Sequence, residues 1–464
     1  MPHGGGSFFM MQGQALDRSA EQGRDRALTW LALAYVPLLL ILGGGGTPAP
    51  LAELACQVLA ALALVGWIAL RGPDALENAR PLWWVCGLIV LVPALQLIPL
   101  PAALWQSLPG RGLLRESLAL VGAEQNWWPV SVAPQRTLDG LLALLPSLLA
   151  LAVTASLSAT GRETLLKAIA VFALFSVAVG AGQLASSGNG LLQFYADSDP
   201  GVLAGFQANR NAQVDVLLIG FISLVIAWHK PASRSWVAMA ALGALALLLL
   251  LGAFLTGSRG GIALIPLVLA WCLVLVRGEL FSRTSLFRLR NLALGSAIGL
   301  GLCAAAWPTR PVQQVVQRFG FSGEYRPDIW RDTLYAIEQY WPVGSGLGTF
   351  TRVIGPAERL ETIGPVLPNR AHNEFLELML EGGLPLALAW LAVAALVVRA
   401  AVRALREAEN SARAQALFSA GTLTIVSLHS LVDYPFRSMA LASLVGVAAA
   451  MVLVPPARLG KLRS

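Results

Sequence analysis

The chain has 464 residues, of which 56% are hydrophobic and 13% charged, and its formal net charge is +7. Soluble domains carry about a quarter charged residues, so water is excluded as the solvent for most of this surface and the bilayer takes its place. Long Leu/Ala/Val runs without alternation exclude a β-barrel and leave spanning helices, because backbone groups in lipid must be satisfied within the segment.

The opening stretch, MPHGGGSFFMMQGQALDRSAEQGRDR, is polar and Gly-rich. It is too long and too acidic for the basic region of a signal peptide, and it reads as a tail over residues 1–26 before a retained span. With roughly 20 apolar residues needed to cross a membrane, about twelve spans are expected. They lie at 27–43, 51–70, 81–101, 137–157, 164–185, 211–228, 236–256, 261–276, 291–307, 383–399, 414–431 and 438–454. The first nine fill 27–307, a large loop takes 308–382, the last three fill 383–454, and 455–464 is a second tail. The cut at Gly257-Ser258-Arg259-Gly260-Gly261 reads as a tight turn between two spans, since one uncut helix would run about 60 Å, twice the hydrocarbon thickness.

An even number of spans puts both tails on one face. The connectors on that face are nearly all short and basic, whereas the short connectors opposite hold only Arg259 and Arg437. The positive-inside rule therefore places both termini in the cytoplasm. It also accounts for the net positive charge without nucleic acid. Two long loops, 102–136 and 308–382, and a shorter one at 186–210 then face outward. The longest is too rich in Trp, Tyr, Leu and Ile to be disordered. Within it DIWRDTLYAIEQY has helical periodicity, WPVGSGLGTF supplies breaks, and NEFLELMLEGG reads as a second helix. Asn373 is its expected N-cap, and Gly382 or Gly383 its stop.

The polar residues of this outer face are the candidates for chemistry. His372 precedes the second loop helix; it is either a polar capping residue or a general base, since imidazole titrates near neutral pH. Metal ligation lacks the necessary spacing. Arg210, in FQANRNAQ, and Arg259, in TGSRGG, each stand at the outer mouth of a span. Either they snorkel to the interface or their planar forks hold phosphate oxygens of a lipid-borne group. Arg326 precedes a helix start and can face a ligand, while Arg331 is spaced for an ion pair with Asp328. Asp433 and Arg437 are expected to form a buried ion pair closing the bundle. Glu374, Glu377 and Glu381 read as the solvated face of the loop helix. Trp330 and Trp341 fit an interfacial belt or a sugar-stacking groove equally well. Cys56, Cys86, Cys272 and Cys303 all fall in apolar runs and read as core residues.

The order of these pieces resembles the O-antigen ligase/polymerase superfamily of bacterial envelopes. The landmarks are NRN at 209–211, TGSRGG at 256–261, RPDIWRDTLYAIEQYWPVGSGLGTF at 326–350 and AHNEFLELMLEGG at 371–383. PVSVAPQRTLDGLLALLPSLLALAV and LHSLVDYPFR also look like family features. The resemblance implies a multi-pass, all-α protein of the inner membrane that moves a glycan from undecaprenyl diphosphate to an acceptor hydroxyl at the periplasmic face. The acceptor is lipid A–core for a ligase and another lipid-linked repeat for a polymerase. No cofactor or metal is implied. Arg210 and Arg259 match arginines assigned to the lipid diphosphate, Arg326 a further loop arginine, and His372 the catalytic histidine. A transporter or flippase for lipid-linked sugars is the competing class. It would favour ionisable residues in mid-span and internal repeats, whereas these polar groups gather at one face.

Overall fold

A computed structural model describes residues 5–46, 49–71, 79–186, 192–195, 201–228, 236–280, 301, 304, 307–319, 325–361, 363–364, 367–407 and 410–456. The chain is built from helices: α1 Gly5–Leu42, α2 Pro50–Leu70, α3 Arg80–Gln96, α4 Ala102–Trp105, α5 Gly112–Ala119, α6 Pro134–Ala155, α7 Ala159–Ala185 and α8 Arg210–Trp228. There follow α9 Trp236–Leu255, α10 Arg259–Leu280, α11 Arg310–Phe319, α12 Arg326–Tyr340, α13 Phe350–Val353, α14 Glu374–Glu407, α15 Asn410–His429 and α16 Met439–Leu453. A two-residue antiparallel pairing of β1 (Pro99–Leu100) with β2 (Trp128–Pro129) ties the start of the first long loop to its end.

Among the described residues six helices are long and apolar enough to cross a membrane: Ser19–Leu42, Pro50–Leu70, Pro134–Ala155, Ala159–Ala185, Arg210–Trp228 and Glu374–Arg406. Arg80–Gln96, Ala240–Leu255, Arg259–Leu273 and Met439–Leu453 are shorter apolar helices. The expectation of twelve spans is therefore met only in part. The span expected at 291–307 lies almost wholly outside the described residues, as does Cys303. The first span is the second half of a helix that begins at Gly5, inside the expected tail.

The core is a bundle in which α8 is central, with every residue from Asn211 to Leu224 buried. Small residues let backbones approach closely, the usual means of association where lipid offers no hydrophobic gain. A Cβ on Gly446 of α16 would stand 2.6 Å from the Ser147 carbonyl of α6, and one on Gly261 of α10 would stand 2.0 Å from Val214 Cγ1 of α8. At the end of the bundle away from the long loops, Arg162 of α7 is fully buried. It donates to the carbonyls of Ala155 at 3.2 Å and Val454 at 3.0 Å, satisfying the C-terminal ends of α6 and α16.

The opposite end, which we call the loop end, carries the two motif-bearing turns and the long-loop helices. The chain breaks after Leu255 and restarts at Arg259, as the glycine-rich cut suggested. Gly383 has φ 55 and ψ −151, a conformation closed to residues with a Cβ, and it separates the first turns of α14 from its apolar remainder. A Cβ there would also lie 2.1 Å from the Pro342 carbonyl, so the glycine admits the 341–349 loop.

Candidate functional site

The three outer motifs meet at the loop end. Asn373 Oδ1 accepts the backbone N–H groups of Phe375 and Leu376, both at 3.1 Å, so it is the N-cap expected of it. Its Nδ2 donates to the Leu431 carbonyl at 3.0 Å, and the Glu374 N–H donates to the Ser430 carbonyl at 2.9 Å. These bonds dock the start of α14 on the segment that follows α15. His372, one residue before the cap, is carried over Asp433: its Nδ1 lies 3.4 Å from Asp433 Oδ1. The imidazole sits between Tyr434, with ring centroids 5.1 Å apart, and Tyr325, edge-on at 5.9 Å. His372 has φ 49, the one positive value off glycine among the described residues. Such a residue costs about 1–3 kcal/mol, and strain of this kind collects where function fixes a side chain.

Asp433 is buried, and its second oxygen accepts from Asn209 Nδ2 at 3.2 Å. Burial pushes the Asp433 carboxyl up, but the hydrogen bond from His372 and the charges of His429, His372 and Arg326 outweigh it, holding the group below its ordinary value. Asn209 also accepts the Asn211 N–H at 2.8 Å at the start of α8. Asn211 Oδ1 in turn accepts from Ser258 Oγ at 2.7 Å. The starts of α8 and α10, whose first residues are Arg210 and Arg259, are thus tied together through the asparagine and serine next to those arginines. Two helix N-termini, each favourable to anions, meet there, and each begins with an arginine. Arg326 opens α12, and its charge acts on both Asp433 and His429. All four sequence-singled residues, Arg210, Arg259, Arg326 and His372, accordingly fall in one neighbourhood.

Beneath it lies a pair that sequence reasoning passed over. His429 Nδ1 is 2.7 Å from Asp215 Oδ1, both residues being buried. A Cβ on Gly260 would lie 2.9 Å from His429 Nε2, so this histidine supports the turn that carries Arg259. Asp215 Oδ2 has no hydrogen-bond partner among the described residues. An acid inside an apolar run is itself a signal, and it is passed over when the polar groups are placed at one face.

Two expectations are corrected. Asp433 does not pair with Arg437; it serves His372 and Asn209 instead. Arg437 reaches Glu374 at 3.0 Å, Glu377 at 3.3 Å and Glu381 at 2.9 Å. These glutamates are buried and are not a solvated helix face. Their spacing of three and four residues aligns them on one stripe of α14, and that stripe faces a cation rather than water. Burial alone would lower the Arg437 guanidinium, but the three carboxylates hold it well above its ordinary value. Glu377 also binds Arg370 at 2.9 Å and the Ala371 N–H at 3.0 Å. Glu381 accepts the Phe350 N–H at 3.1 Å. The acids therefore hold the backbone just before His372 and the start of α13. Arg331 does lie within 3.8 Å of Asp328, though Arg359 takes that acid more closely at 2.9 Å. Trp341 is 41% exposed, and Trp330 is partly buried.

No group of three or more His, Cys, Asp or Glu side chains among the described residues could hold a metal ion. Chemically, the site offers an oriented imidazole beside an anion-attracting pair of helix starts. No curated protein matches the chain. Residues 244–391 match the family model described as O-antigen ligase, and this segment, which holds Arg259, Arg326 and His372, is similar to the O-antigen ligase/polymerase superfamily that the order of motifs resembles.

Proposed function

We propose that this protein transfers a glycan from undecaprenyl diphosphate to an acceptor hydroxyl, in the manner of an O-antigen ligase, at the outer face of the inner membrane. The observation that supports it best is the chain of hydrogen bonds from His372 through Asp433 and Asn209 to the start of α8, and from Asn211 to Ser258 beside Arg259. One rigid frame thereby joins a base to a phosphate-binding pair.

In this reading Arg210 and Arg259 hold the diphosphate and stabilise the charge that develops as the bond from the anomeric carbon to phosphate oxygen breaks. Arg326 adds positive charge from the α12 side. The acceptor hydroxyl oxygen attacks the anomeric carbon, and its proton passes to His372. A diphosphate leaves without a proton, so no general acid is needed. Displacement in one step inverts the anomeric centre. Asp433 holds the imidazole in place and favours its protonated form as the proton arrives, while Asn209 keeps Asp433 aimed.

Replacing His372 with alanine tests the role. Transfer from a lipid-linked glycan donor in proteoliposomes should fall by about 10²–10⁴-fold, the range of a positioned base. Normal transfer by a well-folded H372A protein overturns the mechanism. Ligase and polymerase differ in acceptor alone, and loss of the gene separates them: without ligation, long lipid-linked polymer accumulates, whereas without polymerisation single repeats remain.

A further inference from the structure

A second feature of the loop end is not used by that mechanism. A groove of about 490 Å³ opens between α5, the start of α6 and the end of α12, within the roughly 300–1,000 Å³ range of ligand sites. Its lining includes Trp128, Tyr340, Gln135, Arg136, Asp139 and Arg352. None of these belongs to the His372 cluster.

The groove's composition selects a ligand. Aromatic rings give flat apolar faces, and amide and carboxylate groups beside them suit the hydroxyls of a sugar. Two arginines stand against one acid. Among the described residues, no hydrogen bond or ion pair holds the side chain of Arg136 or Arg352, whereas Gln135 already donates to Asp139 at 3.2 Å. Solvated arginine forks facing an aromatic-lined recess are what a carboxylate or phosphate on a sugar ring would engage. The backbone at the start of α6, which has no side-chain cap, adds to the same potential.

The recess is built rather than loose. Arg111 is buried behind it, its guanidinium 5.5 Å from the centre of the Tyr340 ring, and donates to the carbonyls of Val130 and Gly344. Burial lowers the Arg111 pKa to about 10, which leaves it charged at neutral pH. The Val132 N–H donates to the Ser345 carbonyl at 2.9 Å, and the Ser345 N–H to the Leu380 carbonyl at 2.9 Å. One glycine-rich loop thus joins the groove wall to α14, the helix that carries His372 at its start.

We propose that this groove binds an acidic saccharide, a sugar chain bearing a carboxylate or a phosphate, and holds it while its reacting end lies at the His372 site. The assignment rests on the glycan-transfer reading for its purpose, but its test needs no turnover. Full-length protein in nanodiscs is titrated calorimetrically with digalacturonic acid, with glucose 6-phosphate, with the neutral disaccharide maltose and with inorganic phosphate. Binding of at least one acidic sugar about tenfold tighter than maltose is expected, the scale of one charge-assisted hydrogen bond. Tighter digalacturonate binding assigns a carboxylate, and tighter sugar-phosphate binding assigns a phosphate. Arg136→Gln and Arg352→Gln together should bring the acidic sugars down to the level of maltose. Both side chains are unpaired among the described residues, so their loss leaves the fold's own bonds intact. H372A should bind as the wild type does while losing transfer, which keeps a failure of the mechanism apart from a failure of this site. Equal binding of acidic and neutral sugars, wild-type affinity in the double variant, or inorganic phosphate binding as tightly as the sugars would each overturn the proposal.

Discussion

Replacing Asp433 with asparagine keeps the shape of the side chain and removes its charge. The pair to be broken lies at 3.4 Å. At an effective permittivity of about 20, two unit charges at that separation interact by about 5 kcal/mol. That is an upper bound on what Asp433 offers the imidazolium formed in the reaction. The distance is long for a hydrogen bond, and an amide oxygen at the same place still accepts weakly. We expect about half the bound to be lost, a fall in kcat of about 10²-fold, or about 2.7 kcal/mol. KM for the donor should change less than kcat, because Asp433 hydrogen-bonds His372 and Asn209, while the charge of Arg326 also acts on it. The assay is initial-rate transfer from a polyprenyl-diphosphate-linked glycan in proteoliposomes, with circular dichroism to show that the helices persist. A wild-type kcat would refute the orienting role. A rise in KM with kcat unchanged would show that Asp433 acts through the donor site instead.

Arg437→Met leaves three buried carboxylates with their main cation removed, and loss of one partner from such a group costs about 3–5 kcal/mol; a marked drop in thermal stability in detergent is expected, and an unchanged melting point would contradict the buried network. Arg259→Lys keeps the charge but loses the planar fork, so transfer should fall by about tenfold or more through a raised donor KM; equal KM values would argue against bidentate phosphate binding. The Asp433 carboxylate titrates below its ordinary value. Its stabilising contribution is therefore fully present above the unfolded-state pKa and is lost as pH falls through the lower folded-state one. Wild-type melting temperature should thus decline on acidification below about pH 4, and D433N should decline less steeply; parallel curves would remove Asp433 as the cause.

Much of the loop end was legible in the sequence because its signals are local. Asn373 caps the helix it precedes, Gly383 stops it, and the glycines around Arg259 turn the chain; each follows from backbone sterics and hydrogen bonding within a few residues. The order of motifs pointed to His372, Arg210, Arg259 and Arg326, and the fold gathers these into one neighbourhood. Span counting was less secure. Six long apolar helices and four shorter ones stand among the described residues, the helix Asn410–His429 covers most of the span expected at 414–431, and the one expected at 291–307 lies almost wholly outside them.

What the sequence by itself determined is the class: too little charge for water, and helices because lipid leaves the backbone no other partner. Only the tertiary structure decided who pairs with whom. Asp433 and Arg437 are four residues apart and opposite in charge, yet the short 3-10 helix Pro435–Arg437 sends them to different partners. The glutamates of α14 looked solvated because a stripe of acids on a helix usually meets water, and nothing local foretells a cation 56–63 residues away. Asp215 and His429 are separated by 214 positions. Pairing at such separations depends on which helices pack together, and it is this long-range packing that sets Asp433 beneath His372.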